Sequence, residues 1–318
     1  MTPPHPSAMP ATAHQPVDIS VVIPAYHGAA TIAACLASVQ RATEGRHAQI
    51  IVVDSSGDRC GEIVREQFPE VNLVLSSTRL SAGAARNRGV AMARGSIVFF
   101  VDQDCVVPHD WITSLEKHFA DPAIGGVGGS LGILNPECLT GSGVYFLEFF
   151  RHFPRTGPPQ RNRTFLLGCN SAYRADALRD AAFPNQTLGE DVLLSHRMRQ
   201  RGFDLVYDPR VEVLHRNREG RQEFLRYNAK MGSASATYQL ALQRRRSRLF
   251  LRFPILIFLT PAIVLSAIFV RLLRSSKRKT YLPTFFRLLP FCLAGNLVWA
   301  AAFRREVLAS RRRGSLSS

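Results

Sequence analysis

Two acidic motifs, about ninety residues apart, carry the clearest chemistry in this 318-residue chain. The first is Asp102-Gln103-Asp104, which follows the apolar run 96–101. The second is Glu190-Asp191, which opens a segment with helical apolar spacing that ends at Gly202. Carboxylates at a strand end can hold a hard divalent cation, and a carboxylate at a helix start can act as a general base. Acidic pairs also cap turns and helices, and the residues themselves leave that alternative open.

The first hundred residues alternate strand-like and helix-like segments, a pattern typical of an α/β fold with a mostly parallel sheet flanked by helices. We expect strands at 19–24, 49–54, 71–75 and 96–101, and helices at 31–39, 62–68 and 81–93. Because parallel strands end at a common edge, the polar residues that follow three of these strands should line one crevice. These residues are Pro24-Ala25-Tyr26, Asp54-Ser55-Ser56 and Asp102-Gln103-Asp104.

Two common nucleotide-binding motifs do not occur in the sequence. No Gly-x-Gly-x-x-Gly follows the first strand and no Gly-x-x-x-x-Gly-Lys-Ser/Thr is found anywhere, so the dinucleotide fold and the P-loop lose their usual support. The glycines of 125–129 fit neither spacing. We predict a strand there, in which glycine permits a close backbone approach.

Seven motifs in the correct order resemble the family 2 glycosyltransferases, which are inverting enzymes of the GT-A fold that use nucleotide-diphosphate sugars. The resemblance extends roughly from Asp18 to Gly232. It rests on the segments 21–26, 51–56, 83–89, 102–104, 168–174, 189–191 with Arg197 and Gly202, and 211–215. It implies a GT-A fold and the transfer of a sugar to an acceptor hydroxyl.

The resemblance also implies roles for individual residues. Asp104, with Asp102 nearby, would hold Mg²⁺ or Mn²⁺, and His215 would approach the same metal. Asp191 would be the catalytic base. The implied nucleotide-binding residues are Pro24, Tyr26, Asp54, Arg86 (or Arg88), Asn87 and Asp102, and those implied for the sugar or acceptor are Gly168, Asn170 and Glu190. The second acid of the family's strand-end motif is replaced here by Ser55, and Asp58 is a candidate to take its place.

Charge distinguishes the last part of the chain. From Arg244 onward sixteen Lys or Arg residues accompany the single acid Glu306, so this region carries +15 of the net charge of +16. It contains two apolar segments, 253–270 and 281–303. The first just meets the length of a membrane span but is interrupted by prolines, and the second is made less favourable as a span by Arg287 and by prolines. These prolines are Pro254, Pro261, Pro283 and Pro290.

Basic clusters at 244–252, 271–279 and 304–313 flank the two apolar segments. If both segments spanned a membrane, one cluster would lie on the outer side, against the positive-inside tendency. We therefore expect at least one segment to be re-entrant or interfacial, so that all three clusters meet anionic lipid on the cytoplasmic face. Two buried helices of a soluble domain are the alternative. A basic tail outside the folded domain does not favour a nucleic-acid partner.

Three regions follow from these patterns: a disordered leader at 1–17, a GT-A catalytic domain at 18–243 and a basic C-terminal region at 244–318. Within the catalytic domain, the Pro- and Arg-rich stretch 154–163 is either a surface connection or an acceptor-side lid. The leader has no signal-peptide pattern and the six cysteines show no C-x-x-C pairing, which favours a reducing compartment.

The resemblance to the family, together with the apolar and basic C-terminal region, implies a membrane-associated, metal-dependent, inverting transferase of the hexosyltransferase type. We expect a UDP-sugar donor and a lipid-linked or membrane-borne acceptor in cell-envelope or polysaccharide synthesis. The alternatives are a nucleotide-sugar enzyme of another reaction type and a catalytically silent membrane scaffold of the same fold.

Overall fold

Buried aliphatic runs form the strands in the first third of the chain. The computed structural model describes residues 18–184, 189–242, 250 and 252–312, so the predicted leader lies outside the described residues. The elements are β1 (Ile19–Ala25), α1 (Ile32–Ala42), β2 (Ala48–Asp54), α2 (Cys60–Gln67), β3 (Asn72–Leu75), α3 (Ala82–Met92) and β4 (Ile97–Phe100). Each covers the segment predicted for it, with ends that differ by at most three residues.

The middle of the chain completes the sheet. Its elements are β5 (Cys105–Val106), α4 (Trp111–Glu116), a 3-10 turn (Lys117–Ala120), β6 (Ile124–Ile133), α5 (Leu139–Glu148), a 3-10 turn (Phe150–His152), β7 (Ser171–Arg174), α6 (Ala175–Ala181), α7 (Glu190–Gln200), β8 (Asp204–His215) and α8 (Arg221–Leu242). The strand order across the sheet is β3-β2-β1-β4-β7-β6-β8-β5.

Parallel pairing dominates the half of the sheet formed by the first four strands. β1 pairs in parallel with both β2 and β4, so these three strands end at one edge, as the sequence predicted. Strand β7 runs antiparallel to both β4 and β6, and the short β5 runs antiparallel to β8. The fold is therefore α/β with a mixed sheet, and its parallel half positions the predicted crevice.

The glycine-rich segment predicted as a strand is β6. It pairs in parallel with β8 through an irregular register between Gly129 and Ser130. A Cβ atom at Gly129 would lie 2.2 Å from the carbonyl oxygen of Val211 and 2.5 Å from the amide nitrogen of Asn170. Glycine is required here because another backbone and a buried side chain approach it closely.

The C-terminal region forms a 3-10 turn (Pro254–Leu259), α9 (Thr260–Leu273) and α10 (Arg278–Arg312). Pro254 and Pro261 begin their elements, where a missing N–H costs nothing. In contrast, α10 continues through Pro283, Arg287 and Pro290 and contains the whole of the second apolar segment. Each proline removes one hydrogen bond of the helix, while packing along the helix retains the rest.

Helix α10 packs against the predicted catalytic domain along much of its length. Phe285 and Cys292 belong to the same buried apolar cluster as the sheet residues. Gly295 lies against the Phe224 ring of α8, and the backbone carbonyl of Trp299 lies where a Cβ atom of Gly232 would be, at 2.2 Å. The two helices therefore approach each other closely only because glycine occupies these positions.

We predict that Gly232→Ala destabilises the protein. An alanine in a helix interior is normally the more stable residue by about 1 kcal/mol, but the clash with the Trp299 carbonyl should reverse the sign and cost about 1–3 kcal/mol. Chemical denaturation of the purified protein measures the change in free energy of unfolding. Thr237→Ala, an exposed position on the same helix, is the control and should be nearly neutral. An increase in stability for Gly232→Ala would contradict the packing.

Candidate active site

A buried arginine joins the two acidic motifs. Arg86 lies on α3, whose N-terminus is capped by the Ser81 hydroxyl accepting from the Ala84 N–H at 3.2 Å. Its guanidinium donates to Asp102 Oδ1 at 2.6 Å and to Glu190 Oε1 at 2.7 Å, and the residue is 2% exposed. Residues 88 positions apart in sequence are thus linked through one side chain.

The surroundings of Arg86 fit its guanidinium and its charge. A Cβ atom at Gly168 would lie 2.7 Å from the guanidinium carbon, so glycine leaves the space that the arginine fills. Burial opposes the charge, but Asp102 and then Glu190 raise the pKa of Arg86 above its ordinary value. Arg88, the alternative from the sequence, is exposed on the same helix.

Asp191 lies in the first turn of α7, where its carboxylate accepts from the Val192 N–H at 2.8 Å. The helix begins after Gly189, which has φ of 80° and packs beneath the Tyr238 ring, so a side chain there would be strained. Burial, followed by repulsion from Glu190, raises the pKa of Asp191 to about 7, against the opposing effect of Arg86. A carboxyl group with that pKa is suited to accept a proton near neutral pH.

Strand pairing brings Asp104 to His215. Cys105 of β5 lies opposite His215 of β8, which places Asp104 Oδ1 3.6 Å from His215 Nε2. The other ring nitrogen, Nδ1, lies 3.1 Å from Asn217 Oδ1, a contact that orients the imidazole with Nε2 on the Asp104 side. Burial raises the pKa of Asp104 and His215 opposes that rise.

These residues fit a divalent cation. The ligand atoms of Asp104, Cys105 and His215 all lie within 4.8 Å of one another. Burial raises the pKa of the Cys105 thiol well above its ordinary value, so this residue stays protonated and is a poor ligand for Mg²⁺ or Mn²⁺. A carboxylate and an oriented imidazole remain, with the second carboxylate of the motif, Asp102, held by Arg86.

The strand ends of β1 and β2 complete the edge. Pro24 and Tyr26 are half-buried at the end of β1, and the buried Asp54 ends β2. The Ser56 hydroxyl donates to Asp54 and is within 2.7 Å of Asp58. Asp58 therefore lies beside Asp54. From the sequence, Asp58 was a candidate to replace the second acid of the family's strand-end motif.

Gln103 is a positioning residue that sequence reasoning missed. Its side chain accepts from the Tyr26 N–H and donates to the Tyr26 carbonyl, each at 2.8 Å. It thereby ties the end of β1 to the turn that carries the acidic motif. Gly28 lies directly under this amide, where a Cβ atom would be 2.2 Å from its oxygen. A single glutamine between two acids gives no signal of this role in the sequence.

The two predicted asparagines make several hydrogen bonds within the protein. Asn87 donates to the Phe183 carbonyl at 2.7 Å and accepts from its N–H at 2.8 Å. The Asn170 amide donates to two backbone carbonyls, on β6 and β8, and accepts from the Trp111 indole at 2.9 Å. Both side chains therefore position neighbouring segments, and their contacts with a nucleotide or sugar stay predictions.

Comparison with known proteins agrees with this arrangement. The family model described as glycosyl transferase family 2 matches residues 20–181, about half of the chain. The chain belongs to glycosyl transferase family 2. The resemblance inferred from the motifs is thus confirmed, and the match includes β1, β4 and the Arg86 helix.

Two curated family relatives are each 26% identical to the chain. One is the glycosyltransferase AglE of Haloferax volcanii, matched over 59% of this chain and 64% of that protein. The other is the pre-mycofactocin glycosyltransferase of Mycobacterium tuberculosis, matched over 73% of this chain and 49% of that protein. The chain thus spans between about half and two-thirds of the length of these relatives.

A solved structure of similar fold is the mannosyltransferase PcManGT of Pyrobaculum calidifontis, in complex with GDP-Man and Mn²⁺. The likeness covers 95% of this chain and 88% of that chain, with a TM-score of 0.55 and 18% identity. It confirms the GT-A-like fold predicted from the sequence.

We predict that Arg86→Gln lowers the free energy of unfolding by about 3 kcal/mol, because it leaves the Asp102 and Glu190 carboxylates without their buried cation. Arg88→Gln removes the same charge from the exposed face of the same helix and should change stability by less than about 0.5 kcal/mol. Urea denaturation followed by circular dichroism compares the two. Equal, small effects would show that the guanidinium does not hold the acidic motifs together.

Proposed function

We propose that this protein is an inverting glycosyltransferase that moves a sugar from a nucleotide-diphosphate donor, foremost a UDP-sugar, to a hydroxyl of a lipid-linked or membrane-borne acceptor. Cell-envelope or polysaccharide synthesis is the process that this acceptor class suggests. One observation carries the proposal. The buried Arg86 connects the strand-end acid Asp102 to Glu190, and so puts the base candidate Asp191 in the same site as the metal candidate Asp104.

In this proposal Asp104 and His215 hold Mg²⁺ or Mn²⁺, with Asp102 nearby. A divalent cation bound there would neutralise the donor diphosphate and stabilise the charge that develops on the leaving nucleoside diphosphate. Support comes from the orientation of His215 by Asn217 and from the Mn²⁺ in the structure of the similar mannosyltransferase. The Asp102 carboxylate also accepts a hydrogen bond from the Arg86 guanidinium, which holds it in position.

Asp191 is proposed to accept the proton of the acceptor hydroxyl as its oxygen attacks the anomeric carbon. Attack from the face opposite the leaving group, in one displacement, inverts the anomeric centre. Glu190 raises the basicity of its neighbour by charge repulsion, while its own carboxylate is fixed by Arg86. The carboxylate of Asp191 can thus accept the proton, while the carboxylate of Glu190 holds the site together through its hydrogen bond with Arg86.

The edge formed by β1 and β2 is proposed to receive the nucleoside. Asp54 and Asp58 offer carboxylate oxygens there, and the Tyr26 ring lies beneath the Arg79 guanidinium at 4.4 Å. An aromatic ring stacked on a guanidinium provides a flat surface suited to a nucleobase. The donor of the similar mannosyltransferase is GDP-Man, so the test below includes both UDP and GDP.

Membrane association is proposed for the C-terminal helices. The segments Pro254–Leu273 and Arg278–Arg312 have the length and composition of membrane-crossing helices. However, the turn between them is fixed to the catalytic domain, because the Ser275 hydroxyl and the Ser276 N–H donate to the Pro154 carbonyl at 2.9 and 3.0 Å. This favours helices that lie in one leaflet, with the catalytic domain and the basic clusters at 271–279 and 304–312 on the cytoplasmic face. Most of the first cluster, 244–252, lies outside the described residues.

We predict that calorimetric titration of the purified protein detects binding of one of UDP, GDP and dTDP that is strengthened by Mn²⁺. Asp104→Ala should remove the increment due to the metal, because it deletes a hard oxygen ligand. Asp110→Ala, an exposed carboxylate that follows the same motif, is the control and should bind as the unmodified protein does. Metal-independent binding in all three proteins would refute the metal site, and no nucleotide binding at all would refute the proposed donor class.

We predict that Asp191→Asn lowers kcat by about 10²–10⁴, because it removes the general base while keeping the side-chain shape. In the unmodified enzyme kcat/KM should rise with pH up to about 7 and then level off, since a base must be ionised to act and burial raises this pKa to about 7. Asp176→Asn is the matched control, since Asp176 also opens a helix and accepts from the next N–H. A flat pH profile with an active Asp191→Asn variant would contradict the assignment.

A further inference from the structure

Seven basic side chains gather where the Pro- and Arg-rich loop meets the two C-terminal helices. We call this group the junction cluster; it consists of Arg151, Arg155, Arg163, Arg271, Arg274, Arg278 and Lys279. Three of its members come from the end of the α5 region and the following loop, and four come from α9, the turn after it and the start of α10. None of them has a role in the proposed transfer reaction.

The cluster brings like charges close together. The guanidinium groups of Arg151 and Arg271 lie 5.4 and 5.6 Å from the centre of the same Phe150 ring. Burial and repulsion from Arg271, Arg155 and Arg151 lower the pKa of Arg163. Since like charges repel, this arrangement is unfavourable by itself and is stabilised by an anion.

Within the described residues, no carboxylate forms an ion pair with any member of the junction cluster. The acids of the neighbouring strand β8 engage other cations: Asp204 binds Arg161, Asp208 binds Arg210 and Glu212 binds Lys277. In the same part of the structure, the buried Nε of Arg163 and both ring nitrogens of His152 have no hydrogen-bond partner. The cluster therefore has an unused donor on Arg163 as well as unbalanced charge.

Two cavities lie within the cluster. One, of about 580 Å³, is lined by Arg155, Arg274, Arg278 and Lys279 together with Ser275 and Ser276. The other, of about 330 Å³, is lined by Arg151, Arg163 and Arg271 together with Phe150 and Val264. Each is large enough for a phosphate group, and arginine is suited to bind phosphate oxygens in pairs.

Exposed apolar side chains adjoin the cavities. Leu273 and Ile263 line them and are 46% and 58% exposed. Helix α10 carries a further stripe of exposed apolar side chains at helical spacing: Phe286, which contacts Phe269 of α9, and then Leu289, Leu293 and Leu297. A cationic cavity bordered by exposed apolar helices matches a molecule that has a phosphate head and an acyl tail.

We propose that the junction cluster is a binding site for the phosphate head groups of anionic membrane lipids. The inference rests on the proposed membrane association of the C-terminal helices, and it names the chemistry that the membrane must supply. Head groups held there orient the protein, because the turn that carries Arg274 and Arg278 is fixed to the Pro154 loop of the catalytic domain. The site thereby sets which face of the catalytic domain is turned to the lipid surface.

The test uses the full-length protein in vesicle flotation, with vesicles of phosphatidylcholine alone or of equal amounts of phosphatidylcholine and phosphatidylglycerol. The unmodified protein should prefer the anionic vesicles, and Arg155→Gln with Arg274→Gln should weaken binding to them about tenfold. Arg41→Gln with Arg65→Gln removes the same charge from exposed positions of α1 and α2, and should leave the affinity within about twofold. Both double variants should bind phosphatidylcholine vesicles as the unmodified protein does.

Protein stability provides a second readout. Because substitution relieves repulsion, the Arg155 and Arg274 double variant should melt at the same temperature as the unmodified protein or higher. If that variant fails to fold, Arg271→Gln with Arg278→Gln removes two other members of the cluster. For this second variant we expect the same weakening of binding to anionic vesicles and an unchanged or higher melting temperature. A melting temperature raised by pyrophosphate alone, at matched ionic strength, together with equal vesicle binding by all variants, would mean a free anion and overturn the lipid assignment.

Two further outcomes would also overturn the proposal. Equal losses in the cluster variant and in the Arg41 and Arg65 variant would mean diffuse attraction rather than a site. Displacement from anionic vesicles by stoichiometric single-stranded oligonucleotide would mean a nucleic-acid partner. Calorimetry without vesicles separates this inference from the proposed function, since metal-dependent nucleotide binding with no preference for anionic vesicles refutes the lipid site alone. Vesicle preference without nucleotide binding refutes the donor site alone.

Discussion

The buried Arg86 guanidinium is the interaction on which the arrangement of the site depends. The guanidinium donates to one carboxylate that follows β4 and to one at the start of α7. It could reach neither carboxylate if the surrounding helices lay further apart. The small residues of α3 allow this closeness. A Cβ atom at Gly89 would lie 2.3 Å from the Val22 side chain of β1, so the helix lies directly on the sheet. The small residues of α3 are therefore required for close packing on the sheet. This packing brings the long side chain of Arg86 to the two acids.

Burial, together with repulsion between carboxylates, explains why two of the site's acids have raised pKa values. One site contains the carboxylates of Asp102, Asp104, Glu190 and Asp191. Among the described residues, the buried guanidinium in this site is that of Arg86. Arg86 is committed to Asp102 and Glu190 by direct hydrogen bonds. Burial and like charge then raise the pKa values of Asp104 and Asp191, which the arginine does not directly bind. Excess negative charge beside an oriented imidazole suits a divalent cation, and a raised pKa suits a base.

The C-terminal helices are joined to the rest of the protein by specific packing contacts and hydrogen bonds as well as by their apolar surface. Their buried face joins the core of the sheet, and their exposed face carries the apolar stripe and, with the turn between them, four of the seven members of the junction cluster. The Pro- and Arg-rich loop, whose role the sequence left open, is the part of the catalytic domain that contacts the turn between α9 and α10. The hydrogen bonds from this turn to the Pro154 carbonyl join the helix pair to the loop, so the turn and the loop form one packed unit.

The sequence by itself determined the order of the elements, the strand-end position of Asp102 and Asp104, and the helix-start position of Asp191. Apolar periodicity and turn chemistry are local properties, so they can be read along the chain. Only the tertiary structure decided that β5 pairs with β8 and so places Asp104 beside His215, that Gln103 clamps Tyr26, and that α10 runs through two prolines. These features depend on contacts between residues far apart in sequence. Such contacts are selected by the shape and charge of the assembled fold, for which a local pattern gives no signal.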